Sequence, residues 1–389
     1  MLKTALYIGA IGYGGPAILA LVKKVIVHEK EWISENEFMN ALSLSQILPG
    51  AMGITIIGYV GHRLKGLTGG ILMPFTFAFP AMTAITVLAW AYFTYGNLRF
   101  VHSIFTGLGA LVVALLMSAT WTLGTSVFKK IDLTSYKGFV VAILAFYGIY
   151  FLHWNVVYII LASGALGILF FYFSKEIEQD DLQMPFTVGI HTSHVSMALN
   201  ILPLVIVVGF LITVFWLVTG TWTIFATFFQ IGMFSFGGGF AAIPVIQHVV
   251  VDGMHWLDLK TFRDGIALGQ ITPGPVFITA TFIGYKVHGI IGALIATIGV
   301  FTPSLAAIML IGQAHARIQD LKIVKAAMKG FLSGFIGLLL SVVLHFGVES
   351  LVSRQTWGVF ILSALYLMWW KKDTVWLILG TIGASLLIF

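Results

Sequence analysis

The chain has 389 residues, 59% of them hydrophobic and 9% charged, and its mean hydropathy is +1.00. That composition excludes an ordinary soluble globular domain, and apolar stretches that run continuously instead of alternating exclude a membrane β-barrel. Cysteine is absent, which excludes disulfides and thiolate metal sites, and the net charge of +6 is spread over loops as a topology signal, not gathered into a nucleic-acid patch.

The expected class is all-α, a polytopic membrane protein. In chain order, apolar segments lie near 4–27, 36–64, 69–96, 101–128, 138–152 and 155–173. A polar linker at 174–196 carries Glu176, Glu178, Asp180 and Asp181, and a connecting transmembrane helix follows near 198–219. The second half reads as 222–250, 259–287, 290–315, 323–348, 356–370 and 374–389. The expected division is a first repeat over 1–173, a linker plus connecting helix over 174–221, and a second repeat over 222–389.

Segment 36–64 is ambiguous because Pro49-Gly50 interrupts it. The piece after the break is about 21 Å long at 1.5 Å per residue, too short to cross alone. It either spans jointly with the piece before it or forms a re-entrant hairpin. The positive-inside rule favours spanning, since that model gathers Lys3, Arg63, Lys65, Lys129, Lys260 and Lys371 with most other bases on one side. About 13 crossings result, with the N-terminus cytoplasmic, the C-terminus outside and the second repeat inverted relative to the first.

The halves share one pattern. The first holds Gly12-Tyr13-Gly14-Gly15-Pro16, then Trp32, Phe38, Gln46 with Pro49-Gly50, Gly61 with Arg63, Gly66, Gly69 and Pro80. The second holds Phe236-Gly237-Gly238-Gly239, then Trp256, Phe262, Gln270 with Thr272-Pro273-Gly274-Pro275, Gly284 with Lys286, Gly289, Gly292 and Pro303. Helix breakers at matching positions of two apolar halves point to a transporter's binding site. A backbone inside hydrocarbon cannot leave its polar groups unsatisfied, so a break is expected only where it lines a cavity or meets a ligand.

Four helix N-termini at the breaks would present N–H groups to an anion. Each contributes only about 1 kcal/mol, so a dianion needs residual water or a cation. Arg63 and Lys286 occupy matching positions as that cation, with snorkelling anchors as the plainer reading. Gln46 and Gln270 offer amide donors, with interhelical hydrogen bonds as the alternative. For the glycines the alternative is close helix packing. The expected substrate-binding set is Gly14, Gly15, Pro16, Gln46, Pro49, Gly50, Arg63, Gly237, Gly238, Gly239, Gln270, Thr272, Pro273, Gly274, Pro275 and Lys286.

Other polar residues are less telling. His191 and His194 read as a chance pair in the linker, and His248 and His345 as satisfied membrane histidines with a proton relay as the alternative. Arg263 and Asp264 are expected to pair at the cytoplasmic surface. No metal-protease, P-loop or nucleophile-elbow motif appears, so no enzymatic activity, cofactor or metal is expected.

On these residues the chain resembles the chromate ion transporter (CHR) family in its fused two-domain form. The resemblance rests on Phe236-Gly237-Gly238-Gly239, Gly265 to Pro275 and Gly284-Tyr285-Lys286, and on Gly14-Gly15-Pro16, Leu48-Pro49-Gly50 and Gly61-His62-Arg63. Ala51 stands where the family's first copy usually has a second proline. The resemblance implies a secondary transporter that exports chromate, a tetrahedral oxyanion, across the cytoplasmic (inner) membrane by alternating access. Sulfate or another small anion is the alternative substrate, and a non-transporting membrane scaffold the alternative class. Partners expected are the oxyanion and the lipid bilayer, with a homodimer left open and no nucleic acid.

Overall fold

A computed structural model describes residues 1–128, 133–173, 220–311, 321–369 and 374–389. The expected linker and connecting helix, with His191 and His194, lie outside the described residues up to Gly220. Every regular element among the described residues is helical, as expected of an all-α membrane protein. Met52–Tyr95, Arg99–Val127, Val276–Met309 and Lys322–Ser350 are long and apolar enough to cross a bilayer.

The chain divides into two compact units, and each draws on both sequence halves. The first contains Met1–Val87 with the described parts of Asp181–Gly239 and Thr272–Gln319. Its helices are α1 (Leu2–Ile11), α2 (Gly15–Lys23, continued by a π-helical turn Lys24–Glu29), α3 (Glu35–Ile47), most of α4 (Met52–Tyr95), α8 (Thr221–Met233) and α11 (Thr279–Ile311). The second contains α5 (Arg99–Val127), α6 (Leu133–Tyr150), α7 (Val156–Phe171), α9 (Ala242–Gln247, continued by a π-helical turn His248–Gly253), α10 (Leu259–Ile271), α12 (Lys322–Ser350), α13 (Arg354–Trp369) and α14 (Thr374–Ile388).

In the first unit α4 and α11 are not single rods. Gly66 has φ 61 and ψ −149 after Lys65 at φ −139, and Gly289 has φ 58 and ψ −147 after His288 at φ −150. A Cβ on Gly61 would stand 2.2 Å from the Gly69 carbonyl oxygen, and one on Gly284 2.2 Å from that of Gly292. Eight residues of continuous helix would hold those pairs about 12 Å apart. The chain therefore folds back at Gly66 and at Gly289, and the flanking glycines let the two arms touch backbone to backbone. The hydroxyls of Thr281 and Thr297, 2.6 Å apart, tie the second hairpin.

Segment 36–64 is folded back as well. Ser34 caps α3 reciprocally with Glu37: the Ser34 hydroxyl accepts from Glu37 N–H at 3.2 Å, and Glu37 Oε2 accepts from Ser34 N–H at 2.9 Å. The other carboxylate oxygen of Glu37 meets Arg63 Nε at 3.3 Å. A single crossing helix would separate residues 37 and 63 by about 39 Å. Thus α3 and the first arm of α4 form a hairpin broken at Pro49-Gly50, in place of the joint crossing expected from the distribution of bases. At the same end Lys23 pairs with Glu35 and, by hydrogen bond and charge, holds that carboxyl below its ordinary range.

The second unit is built on α5 and α12. Helices α12, α13 and α14 pack along α5, and α6 and α7 pack along α12. Small residues set the spacing: a Cβ on Gly330 would lie 2.2 Å from the Ser163 carbonyl oxygen, and one on Gly337 2.0 Å from that of Ala142. With no hydrophobic drive between helices in lipid, such close backbone contact is what holds them. Outward faces carry exposed Leu169, Leu362, Trp376 and Leu387, as lipid requires.

Candidate functional site

All four interruptions fall in or border the first unit, and they pair across the sequence halves. Gly274 N–H donates to the Gly12 carbonyl at 2.8 Å, beside a bridge between Tyr13 and Gly274. Gly50 N–H donates to the Ser235 carbonyl at 2.7 Å. Gly12 and Ser235 each stand two residues before a matching glycine (Gly14, Gly237), and Gly50 and Gly274 belong to matching Pro-Gly pairs. The two bonds are one contact made twice, with the roles of the halves exchanged. Each satisfies backbone groups that the breaks would otherwise strand in a low-dielectric interior.

Side-chain packing repeats the exchange. Gly50, at φ 104, leaves no room for a Cβ, which would fall 1.8 Å from Ser304 Oγ. That hydroxyl donates to the Pro49 carbonyl at 3.0 Å. Gly274, at φ 121, would place a Cβ 2.7 Å from that of Ala81. Ala81 and Ser304 each follow the final proline of their repeat, Pro80 and Pro303. Ser235 and Ser304 carried no motif in sequence, and only their positions relative to Gly14/Gly237 and Pro80/Pro303 could have marked them.

The glycine clusters behave differently. Gly14 (φ 67), Gly237 (φ 85) and Gly238 (φ 103) hold backbone that other residues rarely adopt. A Cβ on Gly14 would meet nothing within 4 Å, and one on Gly238 only Met52 Cε at 3.6 Å. At these two positions close packing is not what requires glycine. Helix α2 begins at Gly15 with no side-chain cap and with Pro16 in its first turn, so its first amides point into the break. Gly239 is packed, with Val276 Cβ 2.9 Å from a would-be Cβ.

The expected cations are elsewhere. Arg63 is paired with Glu37 and lies 13 residues of chain beyond Gly50, about 20 Å along the helix. Lys286 is exposed and about 18 Å beyond Gly274 on the same reckoning. On that reckoning both stand away from the Pro-Gly breaks, at matching ends of the two hairpins. Gln46 is exposed on α3, Gln270 is half-buried on α10 in the second unit, and Thr272, Pro273 and Pro275 continue the fourth break, Thr272 being buried. Pro49 serves as acceptor for Ser304.

In the second unit Arg263 and Asp264 do pair, at 2.9 Å, but buried and not at a surface. Asp264 also accepts from the Tyr92 hydroxyl at 2.8 Å, and Arg263 donates to Ser350 Oγ at 2.8 Å. Gly109 gives the guanidinium its place on α5, since a Cβ there would lie 2.8 Å from Arg263 Cζ. The sequence showed the pair but not its partners, which are distant along the chain.

Comparison with known proteins bears on the whole chain. The family model for chromate transporters matches residues 1–168 and 222–386. An uncharacterized transporter of Methanocaldococcus jannaschii is 33% identical over 96% of this chain and 90% of its own length. A probable chromate transport protein of Synechococcus elongatus is 32% identical over 77% of this chain and 71% of its own. A chromate transport protein of Cupriavidus metallidurans is 28% identical over 94% and 87%. No solved structure matches. Two matched segments that each contain a glycine cluster and a Pro-Gly break, in an all-α membrane protein, place this chain in the chromate transporter family.

Proposed function

We propose that the protein is a secondary transporter that moves chromate out of the cell across the cytoplasmic membrane by alternating access. The cytoplasmic N-terminus expected from the distribution of bases depended on segment 36–64 crossing the bilayer, and the hairpin removes that support. The observation that carries the reading is the crossed contact of the four breaks, Gly12 with Gly274 and Gly50 with Ser235. It gathers helix starts from both halves around backbone that has been opened inside an apolar protein. The names of the relatives supply the ion.

The anion would sit at the first turn of α2 and beside the second glycine cluster, against Gly14, Gly15, Pro16, Gly237 and Gly238, with Thr272 and Gly239 behind them. The N–H groups of Gly50 and Gly274 already serve the breaks, so those glycines shape the site without donating to the ion. With dipoles of about 1 kcal/mol each and neither Arg63 nor Lys286 beside it, the ion keeps part of its water. A site of that kind recognises charge and shape, which chromate and sulfate share.

Purified protein in liposomes tests this directly. Labelled chromate should move, sulfate should compete, and Gly237→Ala and Gly238→Ala should slow it. A protein that moves no anion, with both variants leaving cellular chromate tolerance untouched, would return the chain to a packing or scaffold role.

A further inference from the structure

The second unit holds a cavity of about 360 Å³ that the anion reading does not use. Its polar lining comes from Gln247, His248 and Asp252 on α9 and its π-helical turn, His153 in the turn between α6 and α7, and Ser341 and His345 on α12. Two of these groups lack partners. Gln247 is 6% exposed and its Oε1 is buried with no hydrogen bond, and His345 Nδ1 is buried with none either. The His345 ring is held by stacking on Tyr150, with centroids 5.0 Å apart. His248 Nδ1 stands 3.7 Å from Asp252 Oδ2.

Buried polar atoms are ordinarily satisfied by protein or by ordered water, and a volume of this size holds several waters at about 30 Å³ each. The chemistry of the lining narrows the occupant. Among the described residues no Lys or Arg lines the cavity, and Asp252 faces it, so the lining repels an oxyanion. No group of three His, Asp or Glu among the described residues is arranged to hold a metal. What remains is a hydrated set of acceptors around imidazoles, the one side chain whose charge ordinarily changes near neutral pH.

We propose that this cavity is a proton-binding site, with His345 and His248 exchanging protons against Asp252, and that its occupancy drives anion movement. The proposal rests on the transport reading above. The groups that set its charge are His248 and Asp252 from the π-helical turn after α9 and His153 from the turn after α6, with Tyr150 of α6 stacked on His345; Glu349, one helical turn beyond His345 on α12, is not part of the lining. Ionisable groups inside membrane proteins mark ion pathways more often than they serve stability.

Two transport modes in proteoliposomes test it. Exchange of labelled for unlabelled chromate at equal concentrations needs no net proton movement, whereas accumulation driven by an imposed pH gradient does. His345→Gln should retain exchange within about twofold of wild type and lose at least tenfold of the gradient-driven accumulation. Asp252→Asn, at a half-exposed position where folding is not at stake, should keep exchange. It should move the midpoint of the accumulation–pH profile downward, because a negative charge beside the imidazoles is gone. Gradient-driven accumulation that survives His345→Gln overturns the proposal. Equal loss of exchange and accumulation by a variant that still elutes as folded protein overturns it too, because the cavity would then hold the anion. A wild-type protein with no exchange at all is the separate failure of the transport reading.

Discussion

At the scale of single residues, glycine is required for two different reasons in the same site, and substitution separates them. Gly238 has backbone strain but open space, so Gly238→Ala should cost roughly 1–2 kcal/mol, fold, and lower chromate flux. Gly50→Ala adds a collision with Ser304 Oγ to the strain and should lose about 3 kcal/mol or more. Ser304→Gly, added to Gly50→Ala, should recover part of that loss. A double-mutant cycle read by thermal unfolding in detergent measures the coupling, and strict additivity would mean that the two residues do not touch. The buried Arg263–Asp264 pair is a third case. Asp264→Ala leaves the guanidinium without its anion, and should destabilise by about 3–5 kcal/mol on the same assay.

At the scale of elements, the breaks were legible in the sequence and their consequence was only half so. Gly-Gly-Pro, Gly-Gly-Gly and two Pro-Gly pairs are residues that stop helices wherever they stand, and helices do stop at each. Whether the chain continues through the membrane or turns back is a long-range matter. It is decided at Glu37–Arg63, and Glu37 has no counterpart in the second repeat, where Thr261 stands. Counting bases could not reveal a pair whose acid is unrepeated. The hairpin makes a clear prediction in a chain with no native cysteine. Lys30→Cys and Lys65→Cys, made singly, should both react with an impermeant thiol reagent from the same face of sealed vesicles. Labelling from opposite faces would restore segment 36–64 as a crossing. Arg63 and Lys286 show the matching error at smaller scale: equal positions in two repeats were legible, but a helix rise of 1.5 Å per residue carries both away from the breaks.

At the scale of the molecule, duplication in sequence does not correspond to separate compact bodies. The first unit takes α1 to α4 from one half and α8 and α11 from the other, and the second takes α5 to α7 with α9, α10 and α12 to α14. The helices that follow the first glycine cluster, α2 and α3, lie in the first unit, whereas their counterparts α9 and α10 lie in the second. Each half therefore lacks the partners that satisfy its breaks: Gly50 N–H needs Ser235, and Gly274 N–H needs Gly12. Stranding such groups in an apolar interior costs several kcal/mol each, comparable with the whole net stability of many domains. Residues 1–173 or 222–389 expressed alone should consequently be degraded or aggregate, and confer no chromate transport. Expressed together as two chains, they should associate, co-purify and recover flux, since the contacts that complete each unit are noncovalent. Either half moving chromate alone would mean that the crossed hydrogen bonds are dispensable, and the site would then have to be sought within one repeat.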